Sequence, residues 1–417
     1  MPNRPCRVRD SLAVSTHEPL TDSPAVSRRA VLRGALAAGA ALVTAPAGAL
    51  ALPRGTAGPE ALKAFIEDRL RVSHCPAVSV VVVHGGETVW RYATGLADVA
   101  NGRRVTTDDA FNIASVSKTV MVTALLQAME GGLINLDTDV NDVLPFRVGN
   151  PHHPQARVTA RQLLTHTSSL RDNWGVLSPL YVPGDSPIAL GHFLHDYLVP
   201  GGRFYHRKHN FSPAAPGKHY AYCNVGAALA GYLVEAASGV AFDEWCRERI
   251  FEPLGMTSTS WHLAGLQRSK IALPYRYRYA TADWRTYGLY GYPDYPDGLL
   301  RTTPSSLAKL LAAVTRHGAF PGGRLLEAST IREMLTNQLP PSVGPWQGLI
   351  WYRVQPDGIG TLYGHNGGDD GVWAEMFFRP RDGSGAIVMA NGDALRAKEA
   401  SALVQIRNRL IREAMNF

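Results

Sequence analysis

The sequence is short of cysteine and of charge, and both shortages narrow what it can be. Four cysteines in 417 residues cannot build a disulfide framework. Cys6 lies in an N-terminal segment set apart below, so Cys75, Cys223 and Cys246 remain. That odd number allows at most one bridge. Free thiols are expected, with Cys75–Cys246 the one pairing to check. Neither CxxC nor HExxH occurs, and His206 and His209 stand in a basic, loop-like stretch. No metal site is expected, and nothing calls for a cofactor. Charged residues make up 18% of the chain and the formal net charge is +7. Six arginines against Asp10, Glu18 and Asp22 place three of those charges in residues 1–51; seven less three leaves +4, scattered over the rest. That excess is too mild for a nucleic-acid partner. There is no G-x-S-x-G elbow, no internal repeat, and no apolar run long enough for a stable membrane anchor.

What is present begins with the N-terminus. Ser27-Arg28-Arg29-Ala30-Val31-Leu32-Arg33 precedes an Ala-, Gly-, Leu- and Val-rich run ending near Ala49-Leu50-Ala51. A charged segment, a short apolar run and a small-x-small site describe a cleavable signal peptide. The paired arginines resemble a twin-arginine signal, with Val31 where an aromatic is usual. Residues 1–51 are therefore expected to direct export to the periplasm or beyond. No membrane anchor is expected after cleavage, and no cysteine follows that could carry a lipid.

The remainder divides by pattern. Val78-Ser79-Val80-Val81-Val82-Val83, His84-Gly85-Gly86 and Thr88-Val89-Trp90-Arg91-Tyr92 read as a hairpin. The continuous valines predict a strand covered on both faces. Ala374–Phe378 and Ala386–Ala390 flank a Pro/Gly turn as a second hairpin, and Ala394 to Met415 has helical apolar spacing. Between them, Val116 to Gly131, Ala227 to Ser238 and Phe242 to Phe251 read as helices, separated by long loops at 172–220 and 272–303. The prediction is an α/β (α+β) fold. One antiparallel sheet is built from both chain ends (residues 52–110 and 341–417), flanked by helices, with a mostly helical part inserted at 111–340.

Three elements carry chemistry. Ser115-Val116-Ser117-Lys118 is an S-x-x-K in which positions i and i+3 of a helix share a face, so Lys118 can reach the Ser115 hydroxyl. A desolvated lysine loses basicity and could accept the serine proton. Tyr222-Cys223-Asn224 supplies a phenol able to relay protons and an amide able to orient lysine and substrate. Gly364-His365-Asn366-Gly367-Gly368 precedes a strand, where glycines let substrate lie on the strand edge and a backbone N–H can complete an oxyanion hole. Two decoys are set aside. Ser306-Leu307-Ala308-Lys309 follows Thr302-Thr303-Pro304, which reads as a helix cap. Gly184-Asp185-Ser186 lies in a Pro-flanked loop.

Together and in this order, these elements resemble the penicillin-recognising serine hydrolases. The nearest branch holds class C β-lactamases, D-alanyl-D-alanine carboxypeptidases, D-aminopeptidases and related esterases. Phe111–Thr119, Gly132–Asp137, Val158–Leu170 (with Ser169 where Gly is usual) and Glu252–Thr259 extend the likeness over roughly residues 60–400. The resemblance implies a β-lactamase-like fold and an acyl-serine mechanism. Ser115 would be the nucleophile, and Lys118 and Tyr222 would share the proton transfers. Asn224, His365, Asn366, Gly367 and Gly368 would bind substrate, with the Ser115 and Gly368 N–H groups forming the oxyanion hole. The expected partner is a small-molecule or peptide substrate, with cell-wall fragments among the candidates.

Two departures bear on substrate. His365-Asn366-Gly367 replaces the Lys-Thr-Gly of true β-lactamases and removes a fixed charge and a hydroxyl suited to a carboxylate. A protonated His365 would partly restore that charge, so β-lactam turnover is expected to rise toward about pH 6. Asp369 and Asp370 follow either as a solvated hairpin or as an acidic rim tolerant of amines. The tyrosines and Trp284 between Tyr275 and Tyr295 divide between core and cleft wall. Esters and D-amino-acid peptides or amides are the favoured substrates. The alternatives are a class C-like β-lactamase, a D-Ala-D-Ala carboxypeptidase, or a non-catalytic penicillin-binding sensor or scaffold.

Overall fold

A computed structural model describes residues 59–416; the segment read as a signal, residues 1–51, lies outside them. Seven strands form one antiparallel sheet: β1 (Ala77–His84), β2 (Glu87–Asp98), β3 (Arg103–Arg104), β4 (Tyr352–Val354), β5 (Leu362–Asp369), β6 (Val372–Phe378) and β7 (Gly385–Ala390). Their order across the sheet is β4-β5-β6-β7-β1-β2-β3. Both chain ends therefore contribute, and β1 pairs with β7 through Val80 opposite Val388. Five helices position the site: α1 (Pro59–Ser73), α2 (Lys118–Glu130), α3 (Asn224–Ser238), α4 (Pro304–Thr315) and α5 (Ala397–Ala414).

The valines of β1 explain why the sheet is a middle layer. Side chains alternate along a strand, and here both faces are apolar. Val78, Val80 and Val82 pack with Ile66 of α1 and Leu403, Ile406 and Leu410 of α5. Val81 and Val83 face the opposite way, toward Leu307, Leu311 and Val314 of α4. Every one of these side chains is essentially inaccessible, and each buried valine contributes about 1.5–3 kcal/mol. The larger apolar cluster continues from that second face into α2 and α3, so the segment between the sheet halves shares one core with the sheet.

The three cysteines in the described residues, Cys75, Cys223 and Cys246, are all free and buried. The aromatic stretch divides. Tyr275–Arg278 and Asp283–Thr286 form a hairpin whose Tyr277 stacks on His74 at 4.3 Å and whose Tyr279 hydroxyl donates to Glu399 of α5. Those residues tie the terminal helices together. Tyr290 and Tyr292, by contrast, reach the end of β5.

Candidate active site

Ser115 sits in a single 3-10 turn, Ala114–Ser117, that runs directly into α2. The residue before it, Ala114, is buried with φ of +45°, a left-handed conformation costly for a residue with a Cβ. Asn112 Oδ1 accepts the Ala114 N–H at 2.8 Å, and Val116 N–H bonds back to Ile113 O at 3.1 Å. The backbone bend thus lifts the serine out of the helix line while its neighbours are hydrogen-bonded in place.

Lys118 opens α2 and is wholly buried. Its Nζ donates to Ser115 Oγ at 3.0 Å, to Asn224 Oδ1 at 2.8 Å and to the Asp297 carbonyl at 2.6 Å. Three neighbours match the three hydrogens of an ammonium; a neutral amine would meet the same three by accepting the Ser115 hydroxyl hydrogen. Burial pushes the lysine toward neutrality, but the adjacent Tyr222, Asp297 and Asp172 outweigh it and hold its pKa above the ordinary value. The expectation of a lysine made weakly basic by desolvation is therefore corrected. Its polar partners outweigh the effect of burial and favour the protonated amine.

Tyr222 lies over Lys118, whose Nζ is 5.1 Å from the ring centroid. Burial raises the phenol pKa, and the neighbouring Lys118 and Ser115 counter only part of that. Its hydroxyl is buried and completes no hydrogen bond among the described residues. An unpartnered hydroxyl beside a lysine and a serine is a costly arrangement unless a substrate or a moving proton uses it.

Asn224 is held by a residue that motif reading did not single out. The Asp172 carboxylate accepts the Asn224 N–H at 2.9 Å, the Asn224 side-chain amide at 3.0 Å, the Val225 N–H at 3.1 Å and the Cys223 thiol at 3.3 Å. It caps α3 and, by taking the Asn224 Nδ2 hydrogen, turns Oδ1 toward Lys118. Only its place two residues beyond the Val158–Leu170 segment hinted at this.

Strand β5 closes the site, and its alternation sorts the Gly-rich motif. A Cβ on Gly367 would lie 2.4 Å from Ile113 O and 2.8 Å from Ser115 N, so the strand edge touches the nucleophile turn. Only glycine permits that approach. Gly367→Ala is expected to push strand and turn apart and to lower kcat by about a hundredfold, measurable on any turned-over ester. His365 shares this face. Its Nδ1–H donates to Asn366 O at 2.5 Å, leaving Nε2 as an acceptor. Asn366 and Gly368 alternate to the other face: Asn366 Oδ1 accepts the Tyr352 hydroxyl at 2.7 Å, and Asn366 pairs across the sheet with Glu375, which is bonded to Arg407 of α5. The structure thus brings Ser115, Lys118, Tyr222, Asn224, His365 and Gly367 together and turns the Asn366 side chain away. Gly368 stays on the strand edge, where its backbone, not a side chain, is what it can offer.

His365 cannot serve as a cation. Burial first, and Lys118 second, push its pKa down to about 3, so it is neutral at any working pH. The expected rise of β-lactam turnover toward about pH 6 is corrected accordingly. Asp369 is half-buried rather than a bare rim: it accepts the Tyr181 hydroxyl at 3.0 Å and the Tyr292 hydroxyl at 3.3 Å. Burial and the adjacent Asp370 raise its pKa to about 6. Ser169 adopts φ of +65°, a conformation glycine tolerates freely, and its hydroxyl takes the Asn150 amide at 2.8 Å. Among the described residues no group of His, Cys, Asp or Glu is placed to hold a metal.

The profile of the family described as Beta-lactamase matches residues 62–410, which takes in every residue above. The chain belongs to the β-lactamase family. Penicillin-binding protein 4 of Amycolatopsis lactamdurans is 25% identical over 342 residues, 78% of this chain and 83% of that protein. A D-aminopeptidase of Brucella canis is 32% identical over 196 residues, 47% of this chain; that match spans about a third of the relative's length, 35%. The D-amino acid amidase of Ochrobactrum anthropi SV3, solved with L-phenylalanine amide, superposes with a TM-score of 0.66 at 23% identity, covering 86% of this chain and 98% of that one. At that identity the likeness is one of fold. With its S-x-x-K, Tyr-x-Asn and His-x-Gly elements assembled in one place, this member of the β-lactamase family is a serine hydrolase.

Proposed function

We propose that the chain is an exported hydrolase that cleaves esters and D-amino-acid amides or peptides through an acyl-Ser115 intermediate. The observation that carries this reading is the lysine at 3.0 Å from Ser115 Oγ beneath an unpartnered phenol. Ser115 Oγ attacks the carbonyl carbon and its proton passes to the Lys118–Tyr222 pair, which must first hold one proton fewer. The tetrahedral oxygen is met by the Ser115 and Gly368 N–H groups. The pair returns the proton to the leaving group as the bond to it breaks, and water then repeats the sequence on the acyl-enzyme. The arginine pair at Arg28-Arg29 supports export, and sequencing the N-terminus of the secreted protein tests it: an intact residue 1 on exported material would exclude cleavage.

The electrostatics favour substrates bearing an amine over those bearing a carboxylate. The Asp294 and Asp297 side chains are 5% and 6% exposed, and no donor from another described residue reaches either carboxyl. Burial, then mutual repulsion, holds Asp297 well above the carboxylate range, and burial raises Asp294 to about 7. These carboxyls near Lys118 add no donor for an anion and become negative as pH rises, while His365 and Asn366 offer a carboxylate nothing. A substrate carboxylate left unpaired there would cost several kcal/mol. D-amino-acid amides should therefore exceed nitrocefin in kcat/KM. Because raised carboxyls regain their protons as pH falls, KM for a cationic amide should rise between about pH 8 and about pH 5.5, while KM for a neutral ester holds. Asp294→Asn should flatten that dependence, since its carboxyl titrates at about 7. Nitrocefin turned over faster than any ester or amide at about pH 8 would reject the substrate class and leave the acyl-serine chemistry standing.

A further inference from the structure

His166 stands outside the residues given a chemical role above, yet it holds the Tyr222 segment at three points. Its carbonyl accepts the Ala221 N–H at 2.8 Å. Its Nδ1 accepts the Cys223 N–H at 3.3 Å. Its ring lies on the Tyr222 ring with centroids 4.2 Å apart. The two hydrogen bonds fall on the residues immediately before and after Tyr222, and the ring contact falls on Tyr222 itself.

That arrangement has a mechanical purpose. Residues 219–223 belong to no helix or strand, so no ladder of backbone bonds fixes the phenol. A side chain that must meet a serine within tenths of an ångström needs its support from elsewhere. His166 supplies it at a cost. Its backbone is left-handed, with φ of +55°, and its ring is 2% exposed. Because Nδ1 accepts, the neutral ring carries its proton on Nε2, and Nε2 is buried without a partner among the described residues. A strained backbone and an orphaned donor both oppose folding, and space-filling explains neither, since an apolar side chain would carry no Nε2–H to strand. Burial and Lys118 hold the imidazole well below its usual range, so Nδ1 remains an acceptor at any working pH.

We propose that His166 is the positioning residue for Tyr222, clamping the phenol over Ser115 and Lys118 through the Ala221 and Cys223 backbone and through its own ring. It does not itself touch the reacting atoms. The inference rests on the acyl-Ser115 reading, which wild-type labelling at Ser115 tests separately.

The experiment separates the two halves of the clamp. His166→Asn keeps an acceptor where Nδ1 lies and loses the ring; His166→Phe keeps a ring and loses the acceptor. Each is made in the wild type and in Tyr222→Phe, with Tm measured for all. Acylation by a fluorophosphonate and ester kcat and KM are then followed from about pH 6 to about pH 10. The expected result is a fall in acylation rate of about ten- to a hundredfold in both single variants. KM should stay within about twofold and the pH limb of the Lys118–Tyr222 pair should shift. In the Tyr222→Phe background the same substitutions should add almost nothing, because the clamp then holds no hydroxyl. If the Phe variant does not fold, the Asn variant decides. A folded His166→Asn with wild-type acylation and pH profile overturns the proposal. So does a loss that multiplies undiminished onto Tyr222→Phe, which would mark a general structural role. If wild type labels at a residue other than Ser115, the underlying reading fails instead.

Discussion

Ser115→Ala is expected to abolish covalent labelling by a fluorophosphonate and to lower ester turnover by at least about 10⁴-fold, while Ser306→Ala and Ser186→Ala leave both intact. Only the first serine has a proton acceptor system. Lys118 Nζ stands 3.0 Å from its Oγ, Ala114 bends the chain beneath it at φ of +45°, and β5 meets it so closely that Gly367 has no room for a Cβ. Ser306 has the same S-x-x-K spacing, but its N–H is taken by the Thr303 cap at 3.0 Å, and Lys309 is drawn off to the Gly255 carbonyl at 2.5 Å. Ser186 accepts the Ile188 N–H at 3.2 Å in a surface turn. The two controls share the residue type and lack the surroundings. Persistent labelling of Ser115→Ala, mapped by mass spectrometry to another serine, would end the assignment. Labelling without turnover in the wild type would instead identify a sensor that acylates and stops.

Lys118→Ala and Tyr222→Phe should each cost about 10²- to 10⁴-fold in kcat, and the double variant should cost far less than the product. The two groups handle one proton between them, and groups acting as a unit are not additive. Their effects on the fold should differ, which guards against misreading. The Tyr222 hydroxyl completes no well-formed hydrogen bond among the described residues and only lies beside Lys118 and Ser115, so Tyr222→Phe should change Tm little. Lys118→Ala strands the Asn224 oxygen and the Asp297 carbonyl and leaves Asp172 and Asp297 without their nearby cation, so its Tm should fall. Burial raises the phenol pKa, and its partners raise that of the lysine. The pair therefore loses its first proton far on the alkaline side, and kcat should still be climbing at about pH 9 with no plateau below it. A bell centred below neutrality would assign the proton transfer to another group. Independent, fully multiplicative losses would mean that the lysine and the tyrosine do separate jobs.

Much of the fold and the centre of the site were legible in the chain itself. The valine run of β1 announced a strand covered on both faces, because only a buried layer tolerates apolar residues at every position of a period-two element. Ser115 and Lys118 were readable because three residues on a helix is a fixed distance. Thr303-Pro304 exposed Ser306 as part of a cap for the same reason: caps are local, and local geometry follows from local sequence.

Other features depended on contacts between distant segments. The sequence suggested a lysine weakened by burial, and only the tertiary structure brought Tyr222, the Asp297 carbonyl and Asp172 to it and kept it charged. His365 read as a switchable cation until the sheet buried it against that lysine. The direction of Asn366 followed from β5 pairing with β6 in one register rather than the next, which a run of glycines does not specify. Asp172 lay outside every motif, and His166 lay inside the Val158–Leu170 likeness without a role, since each acts on a segment about fifty residues further along the chain. Residue type and short spacing thus determined which groups could react. The charge each one carries, and the face it presents to Ser115, were decided by long-range packing, because Coulomb interactions and desolvation depend on distance in space and not on separation along the chain.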